Sequence, residues 1–398
     1  MTLVFWISLA VCVYIYFGYP ALLWVLSRVR PRPVREGEVT PPVTFVIAAY
    51  NEEKNIAAKI ENTLALDYPD GLVEILVVSN GSTDQTNEIV RSYSGRATLI
   101  ALEHPGKMEA LNEGVRHATG EIIVFTDADF LLDRHTLRTM TRKFHDPEVG
   151  GVCGARKSGV NRHGDTTGEG EGLYARWDTW QKVRESRIGS VFAADGLLYA
   201  IRRSLYVPVT DPAQADDIAI STRIPLEGHR LLFEPEATAW ENAGVEAASE
   251  FRRKVRVTNH SVRALLNLRS RLFTAGFYSV ELLSHKLVRH FIPFFLLPLL
   301  ISSAFALPIA FAGQLGFYAL ALAGALLRDQ KIGRAKLFTV PYFFTFVNAA
   351  ALVGILSMLK GKRTEAWSTR SVGANGDPGP HKAQRLKGAE AQRVRGPL

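Results

Sequence analysis

The sequence predicts an α/β sandwich, built on a mostly parallel sheet and joined to a membrane by apolar helices at both of its ends. Short apolar runs alternate with amphipathic stretches between Val43 and Cys153, which is typical of strands that alternate with helices. Long apolar stretches without charges lie before and after this region. The 398 residues are enough for one large domain with a sizeable core.

The first apolar stretch predicts a membrane anchor within residues 1–27. The run from Leu3 to Leu26 carries no charge and, at ~1.5 Å per residue, is long enough to cross ~30 Å of hydrocarbon. Basic residues follow the run instead of preceding it, which argues against a cleaved signal peptide. These residues are Arg28, Arg30, Arg32 and Arg35. By the positive-inside rule they predict that the next domain lies on the cytoplasmic side of the plasma membrane.

Residues 28–42 contain several prolines and are expected to form a short stiff linker, and residues 43–250 the domain that contains the sheet. The predicted strands are Val43–Ala48, Glu74–Ser79, Thr98–Leu102, Glu121–Thr126 and Val149–Cys153. The predicted helices are Glu52–Leu66, Thr83–Tyr93, Lys107–Ala118 and Thr136–Phe144. In such a sheet the ligand site lies beyond the carboxyl ends of the strands.

The charge and the cysteines exclude some classes of protein. The formal net charge of +8 predicts contact with anionic membrane lipids and not with nucleic acid, because the basic residues concentrate beside apolar segments. Cys12 lies in the anchor and Cys153 in the domain, so these two cysteines are not expected to pair.

Residues 251–273 predict an amphipathic helix that lies in the membrane interface. Its apolar residues recur near helical spacing at Phe251, Val255, Val262, Leu265, Leu266 and Phe273. They are interleaved with Arg252, Arg253, Lys254, Arg256, Arg263, Arg269 and Arg271. A stripe of this kind beside many cations favours the cytoplasmic interface, and the alternative is a solvated helix packed on the domain.

Residues 289–359 predict about three further membrane helices, so that the protein is multi-pass. The apolar stretches are Phe291–Leu307, Ile309–Leu327 and Leu337–Leu359, and Pro308 separates the first two as a tight hairpin. If the third stretch spans the membrane, the basic tail after it lies outside, against the charge rule. Either this stretch is re-entrant, helped by Pro341 and Asn348, or the rule fails here. The tail, residues 360–398, is expected to be disordered.

Asp127 and Asp129, in the segment TDAD, follow the fourth predicted strand. Side chains two residues apart in an extended segment point to the same side, roughly 6 to 7 Å apart. Both carboxylates can therefore face one divalent cation bound to a diphosphate. The alternative is a solvated turn that contains this pair by chance.

Other polar residues follow the first three strands. Ala49, Tyr50, Asn51 and Glu52 end the first strand, and the segment from Ser79 to Asp84 ends the second. Ser82 or Thr83 is equally well explained as a helix cap. Lys107 follows a tight turn and opens a helix, where it could meet a phosphate.

The polar segments after the first two strands, Lys107 after the third and TDAD after the fourth resemble, in this order and spacing, the family 2 glycosyltransferases with a GT-A fold. The resemblance covers Val43 to Leu268, and the flanking segments are similar to those of the membrane-embedded, polysaccharide synthase-like branch. It implies a UDP-sugar donor whose uridine is held by Ala49, Tyr50, Glu52 and Asn80. It also implies that Lys107 approaches the nucleotide, that Asp127 supports the nucleotide sugar, and that Asp129 ligates Mg or Mn.

Two further segments resemble the acceptor side of this family. Asp195 and Gly196 precede a strand-like run, Leu197 to Ile201, and Asp216 and Asp217 open a helical stretch. Family members commonly carry Glu-Asp at the second place, so the resemblance implies that Asp217 is the catalytic base and Asp216 its neighbour. A second carboxylate should raise the proton affinity of the first. Acids that stabilise a helix start are the alternative.

Arg256 is expected to neutralise charge on the departing diphosphate. Processive members of the family carry Gln-Arg-x-Arg-Trp here, whereas this chain has Val257 in place of the tryptophan. The resemblance therefore implies inverting transfer to a lipid-linked, lipid or glycan acceptor, with a processive polysaccharide synthase as the alternative. More distant alternatives are a sugar nucleotidyltransferase, whose glycine-rich phosphate loop is missing, and a non-catalytic membrane scaffold. A partner subunit is left open.

Overall fold

The computed structural model describes residues 1–104, 106–157, 166–241, 247–271, 273–328 and 330–361. The strands in these residues are β1 Val43–Ala49, β2 Val73–Asn80, β3 Thr98–Leu102, β4 Ile122–Phe125, β5 Phe130–Leu132, β6 Val149–Arg156, β7 Tyr199–Arg202 and β8 Arg230–Glu241. The helices are α1 Thr2–Val29, α2 Ile56–Leu64, α3 Thr86–Ser92, α4 Lys107–His117, α5 Thr136–Thr141, α6 Thr166–Ile188, α7 Asp216–Ser221, α8 Arg223–Leu226, α9 Ala247–Asn267, α10 Phe277–Phe291, α11 Pro293–Ala306, α12 Pro308–Leu326 and α13 Lys336–Leu359.

One sheet contains all of these strands, in the order β3-β2-β1-β4-β7-β6-β8-β5. Strands β1 to β4 are mutually parallel, and β7 is antiparallel to both β4 and β6. β6 and β8 are parallel, and the short β5 runs antiparallel along β8. The predicted α/β architecture is therefore confirmed, and the carboxyl ends of β1, β2 and β4 meet at one edge.

Apolar side chains fill both faces of the sheet because successive residues of a strand point to opposite sides. On one face, Phe45 and Ile47 contact the layer that contains Ile56 and Ile60 of α2. On the other face, Val46 lies in the layer formed with α4. A Cβ on Gly114 would lie 2.4 Å from Val46 Cγ1, so glycine lets α4 approach the sheet closely.

Some element boundaries differ from the prediction. α2 begins at Ile56 and not at Glu52, because Asn51 adopts φ 54° and the chain turns before the helix starts. β4 ends at Phe125, one residue before the predicted end. The long helix α6 was not predicted, since its apolar residues form no single stripe.

Three helices are long and apolar enough to cross a membrane, namely α1, α12 and α13. A fourth span exists only if α10 and α11 count as one, and these two helices are bent by 58°. Large apolar side chains on these helices are exposed, among them Leu3, Phe17, Ile309, Leu326 and Leu359. An apolar surface of this extent is typical of a protein that contacts lipid.

The predicted hairpin at Pro308 is present, and Leu307 is its single non-helical residue. The third apolar stretch, α13, is one continuous helix through Pro341. Asn348 Nδ2 donates to Phe344 O at 2.8 Å within it, so Asn348 does not break the helix. The bend falls instead before the hairpin, between α10 and α11.

The predicted amphipathic helix, residues 251–273, is present with other bounds, and its position in the membrane interface stays a prediction. The helix is Ala247–Asn267, so Phe273 lies outside it. Val262 and Leu265 are completely buried within the protein. Helix α13 also approaches this helix closely, because a Cβ on Gly354 of α13 would lie only 2.8 Å from Val255 O. Part of the stripe therefore packs inside the protein, against Phe192 and Ile218 of the domain and against α13, while Leu266 is exposed.

Two cations of the same helix are paired with acids and are not available to lipid headgroups. Arg253 lies 2.6 Å from Glu250 and 3.0 Å from Glu171, and Lys254 lies 2.9 Å from Glu250. Although burial opposes ionisation, hydrogen bonds from Arg253 and the two positive charges hold the pKa of Glu250 well below its usual range. Most of the predicted tail lies outside the described residues, so its disorder stays a prediction.

Candidate active site

The loops after β1 and β2 are fastened to each other by hydrogen bonds. Asn51 N donates to Ser82 Oγ at 3.1 Å, and Thr83 N donates back to Asn51 Oδ1 at 2.8 Å. Glu52 N donates to Thr86 Oγ1 at 2.8 Å. The residues predicted to hold a nucleotide at the end of β1, Ala49, Tyr50 and Glu52, are thus joined to the polar turn after β2.

Ser82 and Thr83 do not cap helix α3. The N-cap residue of this helix is Gln85, which makes no side-chain cap hydrogen bond, and Asp84 Oδ1 accepts a hydrogen bond from Thr86 N at 3.0 Å. Ser82 Oγ instead accepts from Ser79 Oγ at 3.0 Å. The capping alternative is therefore wrong for Ser82 and Thr83, whose polar groups shape the lip of the sheet.

Asn80 is the last residue of β2 and is fully buried. Among the described residues, neither its Oδ1 nor its Nδ2 has a hydrogen-bond partner. A buried unpaired amide is costly, by about 1–3 kcal/mol, and calls for a ligand or another explanation. A ligand can reach this amide only when the surrounding side chains move.

Asp127 and Asp129 lie in a turn between β4 and β5 and not in an extended segment. Phe130 N donates to Asp127 O at 3.4 Å and closes this turn. The spacing inferred from strand geometry therefore does not apply. Ala128 is nonetheless buried while the two aspartates are partly exposed, so both carboxylates lie on the accessible side.

Lys59 of α2 lies directly beneath this turn. Its Nζ donates to Thr126 Oγ1 at 2.9 Å and to Phe130 O at 2.6 Å, and the side chain is fully buried. Burial lowers the pKa of Lys59 to about 7, against the charges of Asp127 and Asp129. Sequence reasoning missed this residue, although Lys59 falls at helical spacing on the same face as the buried Ile56 and Thr63.

Lys107, the first residue of α4, joins two predicted site residues. Its Nζ lies 2.9 Å from Asp127 Oδ1 and 3.0 Å from Asp216 Oδ2. Burial alone would lower the pKa of Lys107, but the charges of these two carboxylates raise it above its ordinary value. The ammonium therefore stays charged and lies between the predicted donor side and the predicted base.

Asp216 and Asp217 are the first two residues of α7. Asp217 Oδ2 accepts a hydrogen bond from Gly196 N at 3.1 Å, and its Oδ1 accepts one from Ile218 N at 2.8 Å. Burial, and next the neighbouring charge of Asp216, raise the pKa of Asp217 to about 7. The contact also brings Gly196, predicted on the acceptor side, against the predicted base.

Asp195 begins a chain of polar contacts that sequence reasoning missed. Lys182 Nζ lies 2.6 Å from Asp195 Oδ2 and 2.8 Å from Asp178 Oδ2. His285 Nε2 lies 3.2 Å from Asp178 Oδ1, and His285 Nδ1 lies 2.6 Å from Glu185 Oε1.

The chain ends in α1, where Tyr19 OH donates to Glu185 Oε1 at 2.5 Å. We call this set of six residues the Tyr19–Asp195 chain. It connects the acceptor-side aspartate with α6, α10 and the N-terminal helix.

Arg256 lies on α9, one helical turn before the point where this helix meets α7. Ala215 N, at the start of α7, donates to His260 O at 3.3 Å. Residues four apart lie on the same face of a helix, so Arg256 is on the face that contains this contact. The structure thus brings α9 next to the start of α7, and the role of Arg256 at the diphosphate stays a prediction.

The acidic side chains at the sheet edge do not by themselves surround a metal ion. Among the described residues, no group of three or more His, Cys, Asp or Glu side chains could hold a metal. Mg²⁺ commonly takes one or two carboxylates and completes its shell with substrate phosphates and water. The accessible turn with Asp127 and Asp129 fits an ion that arrives with a diphosphate.

Comparisons with known proteins agree with this geometry. Residues 44–188 match the model of the family described as glycosyl transferase family 2. The chain is 30% identical over 207 residues to the poly-beta-1,6-N-acetyl-D-glucosamine synthase of Staphylococcus aureus (strain COL), and 28% identical to that of Staphylococcus epidermidis. Each match covers 50% of this chain and 49% of the relative, so the chain spans about half the length of these curated relatives.

Among solved structures, the mannosyltransferase PcManGT from Pyrobaculum calidifontis, in complex with GDP-Man and Mn²⁺, is similar over 90% of this chain and 99% of its own. The TM-score is 0.69 and the sequence identity is 26%. The matched segment 44–188 contains the turn with Asp127 and Asp129 and the lysines beneath and beside it. From sequence and sheet together, residues 44–188 of this chain form a family 2 glycosyltransferase domain, and the chain has a GT-A fold.

Proposed function

We propose that this protein is a membrane-bound inverting glycosyltransferase, which transfers a sugar from a UDP-sugar to a lipid-linked, lipid or glycan acceptor at the cytoplasmic face of the plasma membrane. The observation that carries the proposal is the Lys107 bridge between Asp127 and Asp216. It unites the donor side of the site with the helix that bears the base. Asp217, beside that bridge, has a pKa near 7, which suits a group that takes a proton at neutral pH.

On the donor side, Ala49, Tyr50, Glu52 and Asn80 are proposed to surround the nucleoside. Asp129, with Asp127 beside it, would hold Mg²⁺ or Mn²⁺ on the diphosphate. When bound, the ion would neutralise charge that develops on the leaving nucleotide. The Mn²⁺ that accompanies GDP-Man in the Pyrobaculum mannosyltransferase complex supports a divalent ion. Lys107 keeps a fixed positive charge beside this site.

On the acceptor side, Asp217 is proposed to take the proton of the acceptor hydroxyl while its oxygen attacks the sugar. The backbone amide of Gly196 fixes one carboxylate oxygen of Asp217, which orients the base. Asp195, which is held by Lys182 at 2.6 Å, is proposed to contact the acceptor. Arg256 supplies a further cation toward the departing diphosphate.

A processive polysaccharide synthase is the second candidate function. The similarity to the two staphylococcal synthases favours it. Against it, Val257 stands where processive members carry a tryptophan, and the described residues offer only three or four helices that could cross a membrane. Single transfer and polymerisation predict different products, a single added sugar or a ladder of chain lengths.

Release of the nucleoside diphosphate tests the proposal. Purified protein in detergent is offered UDP-sugars and GDP-mannose, with Mn²⁺, with Mg²⁺ or with EDTA, in the presence of membrane lipid extract. We expect metal-dependent release of UDP from one donor, lost in Asp129→Ala and retained in Asp70→Ala, which changes an exposed aspartate.

Three other outcomes contradict parts of the proposal. Release from GDP-mannose alone overturns the UDP assignment. Activity in native membranes that is absent from the pure protein indicates a partner subunit. Equal nucleotide release by Asp129→Ala and the unchanged protein contradicts the metal site.

A further inference from the structure

Lys59 is a buried lysine that the proposed chemistry does not use. Its side chain is fully buried in the GT-A domain, and among the described residues no carboxylate lies within 4 Å of its ammonium group. Burying an ammonium without a close counter-ion is costly, and lysines are almost never fully buried unless paired. A methionine would fill a similar volume without that cost, so the charge and the donors of Lys59 call for an explanation.

The contacts of Lys59 lie at both ends of the turn that bears the two aspartates. Nζ donates to Thr126 Oγ1 at 2.9 Å, one residue before Asp127, and to Phe130 O at 2.6 Å, one residue after Asp129. One side chain of α2 therefore holds the residues on either side of the turn. We call this pair of contacts, which holds both ends of the turn that bears the two carboxylates, the Lys59 clamp.

Thr126 extends the clamp to the acceptor side. Lysine only donates hydrogen bonds, so the single hydroxyl proton of Thr126 is free for Leu197 O, which accepts it at 2.9 Å. Leu197 follows the segment Asp195–Gly196, and Leu198 N donates to Asp195 O at 3.3 Å. The same hydroxyl thus touches the donor-side turn and the acceptor-side loop.

The same helix also holds the strand that follows the turn. Asn62 Nδ2 donates to Leu132 O at 2.9 Å, and Leu132 N donates to Asn62 Oδ1 at 2.8 Å. Lys59 and Asn62 are three residues apart, so they lie on one face of α2. Asn62 holds the far end of β5, whereas Lys59 contacts the two ends of the turn.

We propose that Lys59 is a positioning residue, which fixes the Asp127–Asp129 turn for a diphosphate-bound divalent cation and links that turn through Thr126 to the acceptor-side loop. This inference rests on the proposed function, because it assumes that Asp129 ligates the ion. Lys59 would act through the turn and would not touch the substrate.

The test measures how strongly Mn²⁺ assists UDP binding. Titration calorimetry gives the Kd of UDP for the full-length protein in Mn²⁺ and in EDTA. For Lys59→Met we expect an unchanged Kd in EDTA, a Kd in Mn²⁺ weakened about 10-fold, and a turnover lowered about 10- to 100-fold, as is typical when a support of a metal ligand is lost. Lys54→Met, which removes an exposed lysine near the start of α2, should match the unchanged protein in all three measurements.

Thr126→Val tests the contact between Lys59 and Thr126 by changing the acceptor instead of the donor. It removes the hydroxyl between Lys59 and Leu197, and we expect the same selective loss of Mn²⁺-assisted binding. The double variant should be little worse than either single one, because both changes break one contact. If Lys59→Met does not fold, judged by thermal unfolding in detergent, Thr126→Val decides the test alone.

If Mn²⁺ improves the Kd of UDP as much in Lys59→Met and Thr126→Val as in the unchanged protein, Lys59 does not have the positioning role. The proposed function would remain intact. Equal loss of UDP binding with and without Mn²⁺ also overturns the positioning role, since this pattern indicates general damage. Absence of Mn²⁺ assistance in the unchanged protein, matched by Asp129→Ala, instead contradicts the metal site of the proposed function.

Discussion

At the residue scale, two neighbouring aspartates have different surroundings. Asp216 is paired with Lys107, whereas Asp217 has no cation within 4 Å among the described residues and accepts hydrogen bonds from backbone amides. A buried carboxylate beside another negative charge binds its proton more tightly. The difference favours Asp217 as the proton acceptor and gives Asp216 the role of neighbour and ion-pair partner.

Asp217→Asn should remove sugar transfer and retain UDP binding. Asparagine keeps the shape of the side chain but cannot accept the hydroxyl proton, and a general base typically contributes 10²- to 10⁴-fold to the rate, so we expect a loss of roughly that size. The measurements are transfer to the acceptor and calorimetric binding of UDP. Transfer near the wild-type rate would contradict the assignment.

The pH dependence of transfer should follow the proton on Asp217. The pKa of this group is raised to about 7, so the base is protonated and inactive below that pH, and the rate should rise as the pH passes through 7. Asp195, Asp216 and Lys286 are the charged groups that act on it. In Asp216→Asn a negative charge is lost, which should lower the pKa of Asp217 and move the acid limb of the profile to lower pH. An acid limb at the same pH in this variant would show that another group is titrating.

The sequence predicted the candidate site in part. Asp127, Asp129, Lys107 and the Asp216–Asp217 pair were proposed because each follows a strand or opens a helix; Lys107 contacts Asp127 and Asp216, and the roles of these residues stay predictions. Lys182 was missed although Asp178 lies four residues before it on the same helix. Lys59 was missed because its partners depend on the tertiary fold, and Thr126 is 67 positions from Lys59. No local pattern contains such a contact.

At the element scale, helix α6 connects the domain to the membrane helices. Lys182, buried on this helix, lies between Asp178 and Asp195. Removal of one partner from a buried ion-pair network leaves charges without compensation, which costs about 3–5 kcal/mol. Lys182 is therefore both a support of the acceptor side and a structural link.

Lys182→Met should lower the free energy of unfolding by about 3–5 kcal/mol, because two carboxylates lose their common cation. Thermal or denaturant unfolding in detergent measures this loss. Lys157→Met, which breaks the half-exposed pair with Asp133 at 3.0 Å, is the matched control and should have little effect. Equal stability of the two variants would contradict the importance of the Tyr19–Asp195 chain.

Gly354→Val should weaken the contact between α9 and α13. A Cβ at Gly354 would lie 2.8 Å from Val255 O and 2.9 Å from Thr258 Cβ, so the helices must separate, at a cost of about 1–3 kcal/mol. Gly313→Val introduces the same residue into α12 at a place with nothing within 4 Å. A lower unfolding temperature only for Gly354→Val supports the contact, and an equal shift in both variants opposes it.

Several strands of the sheet and most helices packed on it could be predicted, because the apolar residues of each element recur with the period of a strand or of a helix. β3 has the predicted bounds Thr98–Leu102. α6 could not be predicted, since it contacts the sheet, α1 and α13 on different sides and therefore has no single apolar face. The stripe on α9 was found, but periodicity alone does not distinguish lipid from protein as its partner.

At the scale of the whole molecule, the described part of the chain combines a GT-A domain with apolar helices. Hydrophobicity predicts about four membrane helices, and the described residues contain three that are long and apolar enough, or four if α10 and α11 count as one. The bend of 58° between α10 and α11 falls directly before Pro293, which begins α11, so a proline that the sequence analysis did not use marks this break.

Deletion of the residues after Thr369 should leave turnover and the unfolding temperature largely unchanged. This segment is rich in glycine, proline, alanine and charged residues, a composition that does not favour a hydrophobic core. Turnover of the shortened protein, compared with the full chain in the same detergent, checks the prediction. A collapse of turnover in a stable protein would show that the tail takes part in function.

The Tyr19–Asp195 chain limits how this protein can be divided. A fragment restricted to residues 43–250 would keep Asp178, Lys182 and Glu185 but lose His285 and Tyr19, so buried carboxylates would remain without their partners. The domain and the apolar helices around it are therefore not interchangeable modules. In a hybrid whose membrane helices come from a relative, those helices would need a histidine and a hydroxyl that pair with Asp178 and Glu185. Without them, the contacts that support Lys182 and Asp195 would be lost.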